Sequence, residues 1–283
     1  MINLARRAAH GLRWRANALL GTGSRLPAAA PGTRYESDAV ADYYDAFTAS
    51  YVEATGPFLQ AFRGRDTDAL MAYYVDRIGI TDGMELLDAG CGTGAPAIWL
   101  ARRFPTLRIE SLTNSPVQAE LARKAARDAG VADRLHVTLG DYHRLSQTYA
   151  HGRFDRVLFL ETLGHSADVR QVLYGVRDVL KPGGEAYIKD FFQRRSLDPG
   201  LQAKIDRAVG TINSNYCYHV MQLPDLVAAC METGFTIASL TPPGLEPDLT
   251  VTVDFEHKVG RLTYPLYARL HAVDWYEVVA RRE

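Results

Sequence analysis

The sequence predicts an α/β fold, a doubly wound and mostly parallel sheet of seven strands with helices on its faces. Short apolar segments typical of buried strands alternate with helical segments between about residues 85 and 190. A glycine-rich turn follows the first of these strands, at the edge where doubly wound sheets bind ligands. The 283 residues, 47% of them hydrophobic, are enough for one large core and a cap.

Residues 1–34 are predicted to form a basic arm, because they contain six arginines and no acidic residue. The range Ile2 to Leu20 can form an amphipathic helix that ends at Gly21, before a linker rich in glycine and proline. A loose arm, a contact with a second subunit, adhesion to anionic lipid and a transit role all fit this composition. Among the binding roles we favour a protein contact within a homo-oligomer.

Residues 35–84 are predicted to form a helical cap. From Asp38 to about Gly79 the chain carries aromatic and apolar residues at helical spacing, which indicates core packing. These residues are Tyr43, Tyr44, Phe47, Tyr51, Phe58, Leu59 and Phe62.

Residues 85–190 are predicted to form the ligand-binding core of the sheet. The strands are expected at Glu85 to Ala89, Arg108 to Leu112, Leu135 to Leu139, Arg156 to Leu160 and Glu185 to Asp190. The helices are expected at Ala95 to Arg103, Pro116 to Ala129 and Ala167 to Leu180. Because ligands bind beyond the carboxyl ends of such strands, Asp88, Thr113, Asp141 and Glu161 are expected around one site.

Residues 191–222 are predicted to be an irregular lid insertion. The range 223–283 completes the sheet, with a helix from about Pro224 to Thr233 and strands near Phe235 to Leu240 and Trp275 to Ala280. A second insertion, at 243–272, interrupts that part. Loops at the binding edge usually carry specificity, so both insertions are expected to shape a substrate pocket. Its predicted residues are Phe191, Phe192, Tyr216 and Tyr218.

The charge beside the glycine-rich turn indicates the kind of ligand. Gly90, Gly92 and Gly94 alternate after the strand, which allows close approach of the backbone to a ligand. Asp88 precedes the first glycine by two residues and would repel the pyrophosphate of a dinucleotide. The lysine of a P-loop is absent from this turn. A nucleoside ligand with positive charge is therefore favoured over NAD.

The segment Leu86 to Gly94 resembles motif I of the class I S-adenosylmethionine-dependent methyltransferases. Three further segments resemble landmarks of the same family in the same order, namely 112–118, 140–142 and 180–184. The resemblance extends from about Val40 to Arg195, with a C-terminal strand near Asp274 to Arg281. It implies a Rossmann-like methyltransferase fold and S-adenosylmethionine as the cofactor.

The resemblance also implies which residues contact the cofactor. They are Tyr44, Asp88, Gly90, Cys91, Gly92, Gly94, Thr113, Asn114, Gln118, Asp141, Tyr142 and Glu161. Many relatives carry an acidic residue after the second strand to bind the ribose, whereas Thr113, Asn114 and Gln118 stand near that place here.

Glu161 and His165 are the predicted catalytic residues. They lie four residues apart after a predicted strand, so we expect them on one face of a short helical turn beside the methyl donor. The carboxylate could stabilise a developing cation or accept its proton. In the alternative interpretation both residues are structural: Glu161 caps the next turn, and His165 is a histidine under the lid whose hydrogen-bonding groups are all paired. The segment also resembles the corresponding region of C-methyltransferases that act on lipids, sterols and prenyl compounds, which favours carbon methylation.

The predicted function is S-adenosylmethionine-dependent methylation of a small hydrophobic acceptor in specialised metabolism, with an isoprenoid carbon as the favoured target. O- or N-methylation of a small natural product is the first alternative, and a noncatalytic assembly partner with the same fold is the second. If the acceptor carried a diphosphate, Arg194, Arg195 and Lys204 would be the nearest cationic cluster.

Composition excludes several other classes of protein. A formal net charge of -1 gives no global attraction to nucleic acid, so a nucleic-acid substrate is not expected. The three cysteines are scattered, which fits a reducing cytoplasm, and the histidines show no metal-binding spacing. No apolar run approaches the roughly 20 residues that span a bilayer.

Overall fold

The computed structural model describes residues 34–62, 66–245, 248, 250–258 and 272–283. Nearly all of the predicted basic arm and most of the predicted insertion at 243–272 lie outside these residues. Among the described residues, no helix is both long and apolar enough to cross a membrane.

The described chain folds around one seven-stranded sheet, with the strand order β3-β2-β1-β4-β5-β7-β6. Its strands are β1 Glu85–Ala89, β2 Arg108–Thr113, β3 Leu135–Leu139, β4 Phe154–Leu160, β5 Leu180–Gln193, β6 Phe235–Thr241 and β7 Val273–Arg282. Strands β1 to β5 pair in parallel, and β7 runs antiparallel to both β5 and β6. The predicted α/β fold class, a mostly parallel seven-stranded sheet, is confirmed.

Nine helices surround this sheet in the described part of the chain. They are α1 Ser37–Thr55, α2 Thr67–Ile78, α3 Ala95–Arg103, α4 Pro116–Asp128, α5 Leu145–Thr148, α6 Val169–Val179, α7 Pro199–Tyr216, α8 Leu223–Glu232 and α9 Thr250–Lys258. Short 3-10 turns cover Tyr142–Arg144 and Leu163–His165.

Two apolar layers hold the helices against opposite faces of the sheet. Neighbouring strand residues alternate between the layers, so Leu87 packs with α6 and α8, whereas Leu86 packs with α2 and α3. This alternation follows from the two-residue period of a strand. Because both faces are covered, ligand access is left to the ends of the strands.

Side-chain caps fix where several helices begin. Asp168 accepts a hydrogen bond from the backbone N–H of Gln171, so α6 begins at Val169 rather than at the predicted Ala167. Ser115 caps α4 in the same way, and Pro116 follows at a position where a helix needs no N–H donor.

The predicted continuous helical range from Asp38 to Gly79 is wrong in its middle. Helix α1 ends at Thr55 and is followed by Gly56, which has a φ of 68°, and by Pro57. Glycine readily adopts a positive φ, and proline disfavours helix in the residue before it, so the pair stops the helix. The chain then crosses the carboxyl ends of the strands before α2 begins.

The expectation of an irregular lid at 191–222 is also wrong. Strand β5 continues to Gln193 because it pairs with β7 as far as Val273. Helix α7 follows, with Asp198 as its N-cap and Pro199 as its first residue. Aspartate followed by proline is a helix-start signal that the sequence does display.

Candidate active site

A cavity of about 830 Å³ lies beyond the carboxyl ends of β1, β2 and β4; we call it the strand-end cavity. Eleven of the twelve residues predicted to contact a cofactor line it: Tyr44, Asp88, Gly90, Cys91, Gly92, Thr113, Asn114, Gln118, Asp141, Tyr142 and Glu161.

Gly94 is the twelfth residue, and it does not line the strand-end cavity. It lies at the start of α3 with a φ of 81°, and a Cβ atom there would be 3.1 Å from the Cβ of Ala122 on α4. Close packing of two helices therefore explains this glycine, which corrects the expectation of a cofactor contact.

Gly90 forms the bend of the turn over the strand-end cavity. Its φ is 96°, and a Cβ atom there would be 2.7 Å from the Cβ of Thr162. Thr162 is fixed in place because its hydroxyl donates to the carbonyl oxygen of Ala89 at 2.7 Å. Backbone conformation and close packing both require glycine here.

Asp88 places a buried carboxyl group on the wall of the strand-end cavity. Its Oδ2 atom has no hydrogen-bond partner among the described residues. Burial raises the pKa of this carboxyl group to about 7. A buried carboxylate without a partner is costly, so a cation bound in the cavity would be stabilised here and would favour the ionised form.

Polar side chains complete the wall beside β2 and β3. The Thr113 hydroxyl donates to Oε1 of Gln118 at 2.9 Å, and Asn114 Nδ2 donates to the carbonyl oxygen of Ser37 at 2.9 Å. Asp141 Oδ1 lies 2.6 Å from Nδ1 of His143. Although burial raises the pKa of Asp141, hydrogen bonds from His143 hold it below its ordinary value.

A second cavity, of about 790 Å³, adjoins the first; we call it the aromatic cavity. Its lining residues are Tyr44, Tyr51, Thr55, Leu59, Gln60, Ala61, Glu161, His165, Phe191, Ile212, Tyr216, Tyr218, Val273 and Trp275. The Phe191 ring stacks on Tyr218 at 4.9 Å between centroids and meets Trp275 edge-on at 5.0 Å.

Three of the four predicted substrate-pocket residues line the aromatic cavity. Phe192 does not, because consecutive residues of β5 point to opposite faces of the sheet. Its ring is buried in the layer against Tyr276, at 6.2 Å between centroids. The expectation that Phe192 lines the pocket is therefore wrong.

The two cavities share one wall, which joins them. Five residues line both, namely Tyr44, Leu59, Gln60, Glu161 and His165. They come from helix α1, from the segment between α1 and α2, and from the chain after β4.

Glu161 is engaged on both of its oxygen atoms. Oε1 lies 2.7 Å from Nζ of Lys189, and Oε2 accepts from the N–H of Ala61 at 2.7 Å. The N–H of Phe62 donates to Oε1 at 3.1 Å. Glu161 itself has a φ of 63°, and the 3-10 turn begins two residues later, so the predicted shared helical turn with His165 does not form.

Lys189 is a fully buried lysine behind the shared wall, and the sequence reasoning missed it. Besides Glu161, its Nζ lies 3.1 Å from Oε1 of Gln60 and 2.5 Å from the hydroxyl of Tyr74. Burial lowers the pKa of Lys189, and the neighbouring Glu161 carboxylate opposes this shift. A lysine inside an apolar strand was the available signal, since unpaired lysine is almost never fully buried.

His165 makes hydrogen bonds with both ring nitrogens. Nδ1 lies 2.9 Å from the carbonyl oxygen of Cys217, and Nε2 lies 2.8 Å from the hydroxyl of Tyr44. Burial lowers the pKa of this imidazole to about 4, although the bond to Cys217 opposes the shift. The ring is therefore neutral at pH 7.

Tyr218 is held in the wall of the aromatic cavity by two contacts. Its hydroxyl donates to Oδ1 of Asp190, a buried carboxyl group whose pKa is raised to about 7 by burial. The ring lies directly over Gly164, where a Cβ atom would be 2.0 Å from the ring edge. The tyrosine reaches this place only because residue 164 has no side chain.

The cationic cluster predicted for a diphosphate does not line either cavity. Arg194 pairs with Asp274 at 3.3 Å, and Arg195 donates to Gln222 at 2.6 Å. Lys204 is exposed on α7. The described residues also contain no group of three or more side chains suited to hold a metal ion.

The core of the chain matches a family of known proteins. Residues 86–184 match the family model described as a methyltransferase domain. The chain contains a methyltransferase domain. This match runs from β1 to the start of β5, and it includes the glycine-rich turn and both residues of the shared wall that follow β4, Glu161 and His165. Over these residues the predicted family is confirmed.

Curated relatives align with parts of this chain. It is 32% identical over 166 residues to methyltransferase GfsG of Streptomyces halstedii, an alignment that covers 59% of this chain and 58% of the relative. It is 30% identical over 189 residues to sterol 24-C-methyltransferase ERG6A of Gibberella zeae, with 63% and 45% covered. The chain spans about half the length of the curated relatives it matches.

Solved structures share the fold over most of the chain. The [4+2]-cyclase SpnF has a TM-score of 0.73 at 20% identity, and 89% of this chain and 99% of that chain are covered. Geranyl diphosphate C-methyltransferase of Streptomyces coelicolor A3(2) has a TM-score of 0.69 at 16% identity, with 90% and 100% covered.

Proposed function

We propose that this protein transfers a methyl group from S-adenosylmethionine to a small hydrophobic acceptor, and that the favoured target is a carbon atom of an isoprenoid group. The observation that carries this proposal is the shared wall, which joins a polar cavity at the strand ends to an aromatic cavity. A donor in the first cavity and an acceptor in the second would meet at that wall.

The residues of the strand-end cavity fit S-adenosylmethionine. The unpartnered Asp88 carboxyl group suits the ammonium group of the cofactor, and the turn at Gly90 admits a ligand close to the backbone. Asn114 and Asp141 supply polar groups for the ribose and the adenine side. When bound, the cofactor supplies an electrophilic methyl group on a positively charged sulfur.

The aromatic cavity fits a neutral acceptor rich in hydrocarbon. Its described walls are mostly aromatic and aliphatic, and the charged side chain among them is the Glu161 carboxylate. A carboxylate would repel an anionic group placed beside it, whereas it would stabilise positive charge that develops on an acceptor. Aromatic faces stabilise a cation in the same way and exclude water from the methyl donor.

The positions of the two cavities define what the protein contributes to the reaction. Methyl transfer needs the acceptor atom in line behind the methyl group, at a separation of roughly 3 to 3.5 Å. The side chains of Leu59 and Tyr44 lie on the shared wall, where they can orient the acceptor toward the donor. The relatives named for sterol and geranyl diphosphate C-methylation support carbon as the target.

A binding experiment and a product experiment test this proposal. Calorimetry should show binding of S-adenosylmethionine and S-adenosylhomocysteine and no binding of NAD. The protein would then be supplied with methyl-labelled S-adenosylmethionine and farnesol, geranyl diphosphate, a sterol with a side-chain alkene or a phenol. Mass spectrometry should find the label on carbon of an isoprenoid or sterol acceptor.

Three results would contradict parts of the proposal. Binding of NAD without any response to S-adenosylmethionine would refute the cofactor. A methyl ether or methylamine product would refute carbon methylation. If S-adenosylmethionine binds but is not consumed with any of the acceptors, methyl transfer is refuted and the noncatalytic alternative is favoured.

The predicted setting in a reducing cytoplasm and the predicted homo-oligomer remain proposals of their own. The three cysteines are buried thiols, which is compatible with a reducing environment. Deletion of residues 1–34 should lower the mass of the protein in solution by more than the deleted arm. An unchanged oligomeric state would remove the proposed role of the arm.

A further inference from the structure

Tyr44 brings a hydroxyl group to the wall that separates donor from acceptor. It lines both cavities, and its ring is enclosed by Tyr43, Tyr51 and His165 at 5.1 to 6.1 Å between centroids. The hydroxyl oxygen lies 2.8 Å from Nε2 of His165. This is the one hydrogen bond described for the Tyr44 hydroxyl in the residues that the structure covers.

The partners of His165 determine which ring nitrogen carries the proton. A carbonyl oxygen can only accept, so Nδ1 must carry the hydrogen that it shares with Cys217. In a neutral imidazole the other nitrogen then has a free lone pair. Nε2 of His165 therefore accepts from the Tyr44 hydroxyl, and the pair has a fixed direction from phenol to imidazole.

Glu161 is poorly placed to take a proton, although it lines the same wall. Its oxygens already accept from the ammonium of Lys189 and from the backbone N–H groups of Ala61 and Phe62. These three donors already occupy both oxygen atoms of the Glu161 carboxylate. Its negative charge remains useful next to a developing cation.

We propose that Tyr44 and His165 together remove the proton that methylation of the acceptor releases. This inference rests on the proposed function. Attack by an alkene forms the new carbon–carbon bond and breaks the methyl–sulfur bond, whose electrons stay on sulfur. The electrons of a neighbouring C–H bond then restore the alkene. The released proton goes to the Tyr44 oxygen while the Tyr44 proton moves to Nε2 of His165.

The surroundings of His165 suit this transfer. The resulting imidazolium keeps its Nδ1 hydrogen bond to Cys217, and the edge-on ring of Tyr218 lies 4.5 Å from it between centroids. A weakly basic imidazole is sufficient, because a C–H bond beside a carbocation is a strong acid. Once the product has left, the imidazolium gives up its proton to solvent water through Tyr44.

The first test uses nitrogen-15 NMR of the histidine-labelled full chain without any acceptor. The His165 signals, assigned by their loss in His165→Gln, should show a neutral ring protonated on Nδ1 at pH 7. In Tyr44→Phe the Nε2 signal should shift, because its hydrogen-bond donor is gone. A proton on Nε2, or no shift in Tyr44→Phe, would overturn the proposal whether or not an acceptor is known.

The second test measures catalysis with farnesol as the first acceptor probe, or with whichever of the other panel acceptors wild type methylates. In Tyr44→Phe and His165→Gln, kcat should fall on the order of a hundredfold or more. Replacing the departing proton of the acceptor by deuterium should lower kcat by a larger factor in these two variants than in wild type. His165→Gln keeps a hydrogen-bond acceptor for Tyr44 but cannot take a proton, so a merely structural histidine would lose little rate.

Three comparisons decide the outcome. Tyr174→Phe and His151→Gln, both outside the cavities, should keep the wild-type rate and isotope effect. An isotope effect that arises in Glu161→Gln and not in Tyr44→Phe would assign the proton to Glu161 and overturn the proposal. If wild type methylates no acceptor, the proposed function fails, whereas the NMR result still decides whether the pair exists.

Discussion

The strand-end cavity and the aromatic cavity are neighbours built in different ways. The first is formed chiefly by the ends of parallel strands and the turns after them, and it contains the unpartnered carboxyl group of Asp88. The second is formed by rings from α1, β5, α7 and β7, and its polar groups are paired where the structure describes them. A polar site thus depends on backbone geometry, whereas the aromatic site depends on packing between distant segments.

The difference teaches where selectivity for each ligand resides. In the strand-end cavity, a substitution acts through charge or backbone conformation, because the ligand approaches the chain itself. In the aromatic cavity, a substitution acts through shape and apolar area. The shared wall lines both cavities, so a substitution there should affect the binding of both ligands and the stability of the protein.

The largest expected effect is on the shared wall, where Lys189→Met leaves the Glu161 carboxylate buried without its cation. Removal of one partner of a buried ion pair costs about 3–5 kcal/mol, so the free energy of unfolding in urea should fall by about that amount. The double variant Glu161→Gln/Lys189→Met should recover part of the loss, because no buried charge is then unpaired. Wild-type stability of the single variant would show that the pair does not hold the wall.

The next effect should be confined to the strand-end cavity. In Gly90→Ala the new methyl group meets Thr162, and the dissociation constant of S-adenosylhomocysteine should rise on the order of a hundredfold because the turn must move. Gly83→Ala is the matched control, since Gly83 also has a positive φ but faces open space. Equal losses in both variants would attribute the effect to backbone strain in general.

Asp88→Asn should weaken S-adenosylhomocysteine binding about tenfold to a hundredfold, because the variant loses one charge-assisted hydrogen bond to the ligand. In wild type burial raises the pKa of Asp88 to about 7, and the ammonium group of the ligand prefers the ionised carboxylate. Affinity should therefore increase about tenfold from pH 6 to pH 7.5, because the ionised fraction increases with pH. Calorimetry of Asp88→Asn should show no such increase; the same slope in the variant would contradict the role of Asp88.

The smallest expected effect is on acceptor binding, and it tests whether the two cavities bind their ligands independently. Trp275→Leu removes a ring that lines the aromatic cavity alone, so the KM or dissociation constant of farnesol should rise about threefold to tenfold. The affinity for S-adenosylhomocysteine should stay at the wild-type value. Trp99→Leu, on α3 and outside both cavities, is the control. A loss of cofactor affinity in Trp275→Leu would show that the cavities are not independent.

The fold and the strand-end cavity were predictable because local pattern determines them. The glycines, the apolar strand before them and the order of later strands all lie in short segments with their own signals. The carboxyl ends of parallel strands then converge without any knowledge of long-range packing. Asp88, Thr113 and Asp141 were placed correctly for this reason.

The aromatic cavity was predictable only in part, because packing between distant residues forms it. Whether Phe191 or Phe192 faces the cavity depends on the register of β5 against β7, which the composition of the segment does not determine. The pairing of Glu161 with Lys189 joins the residue after β4 to a residue of β5, so its one signal in the sequence was a lysine within an apolar strand. The φ of 63° at Glu161 likewise could not be predicted from local sequence. A positive φ is usually adopted by glycine, and position 161 holds a glutamate.

Gly164 limits how the acceptor range of this protein can be altered. Any side chain at that position would displace the Tyr218 ring, and with it the hydroxyl contact to Asp190. Residues 164 and 218 therefore form a single unit for redesign. A library that varies both together, pairing a larger residue 164 with a smaller residue 218, samples reshaped acceptor sites that single-site libraries cannot reach.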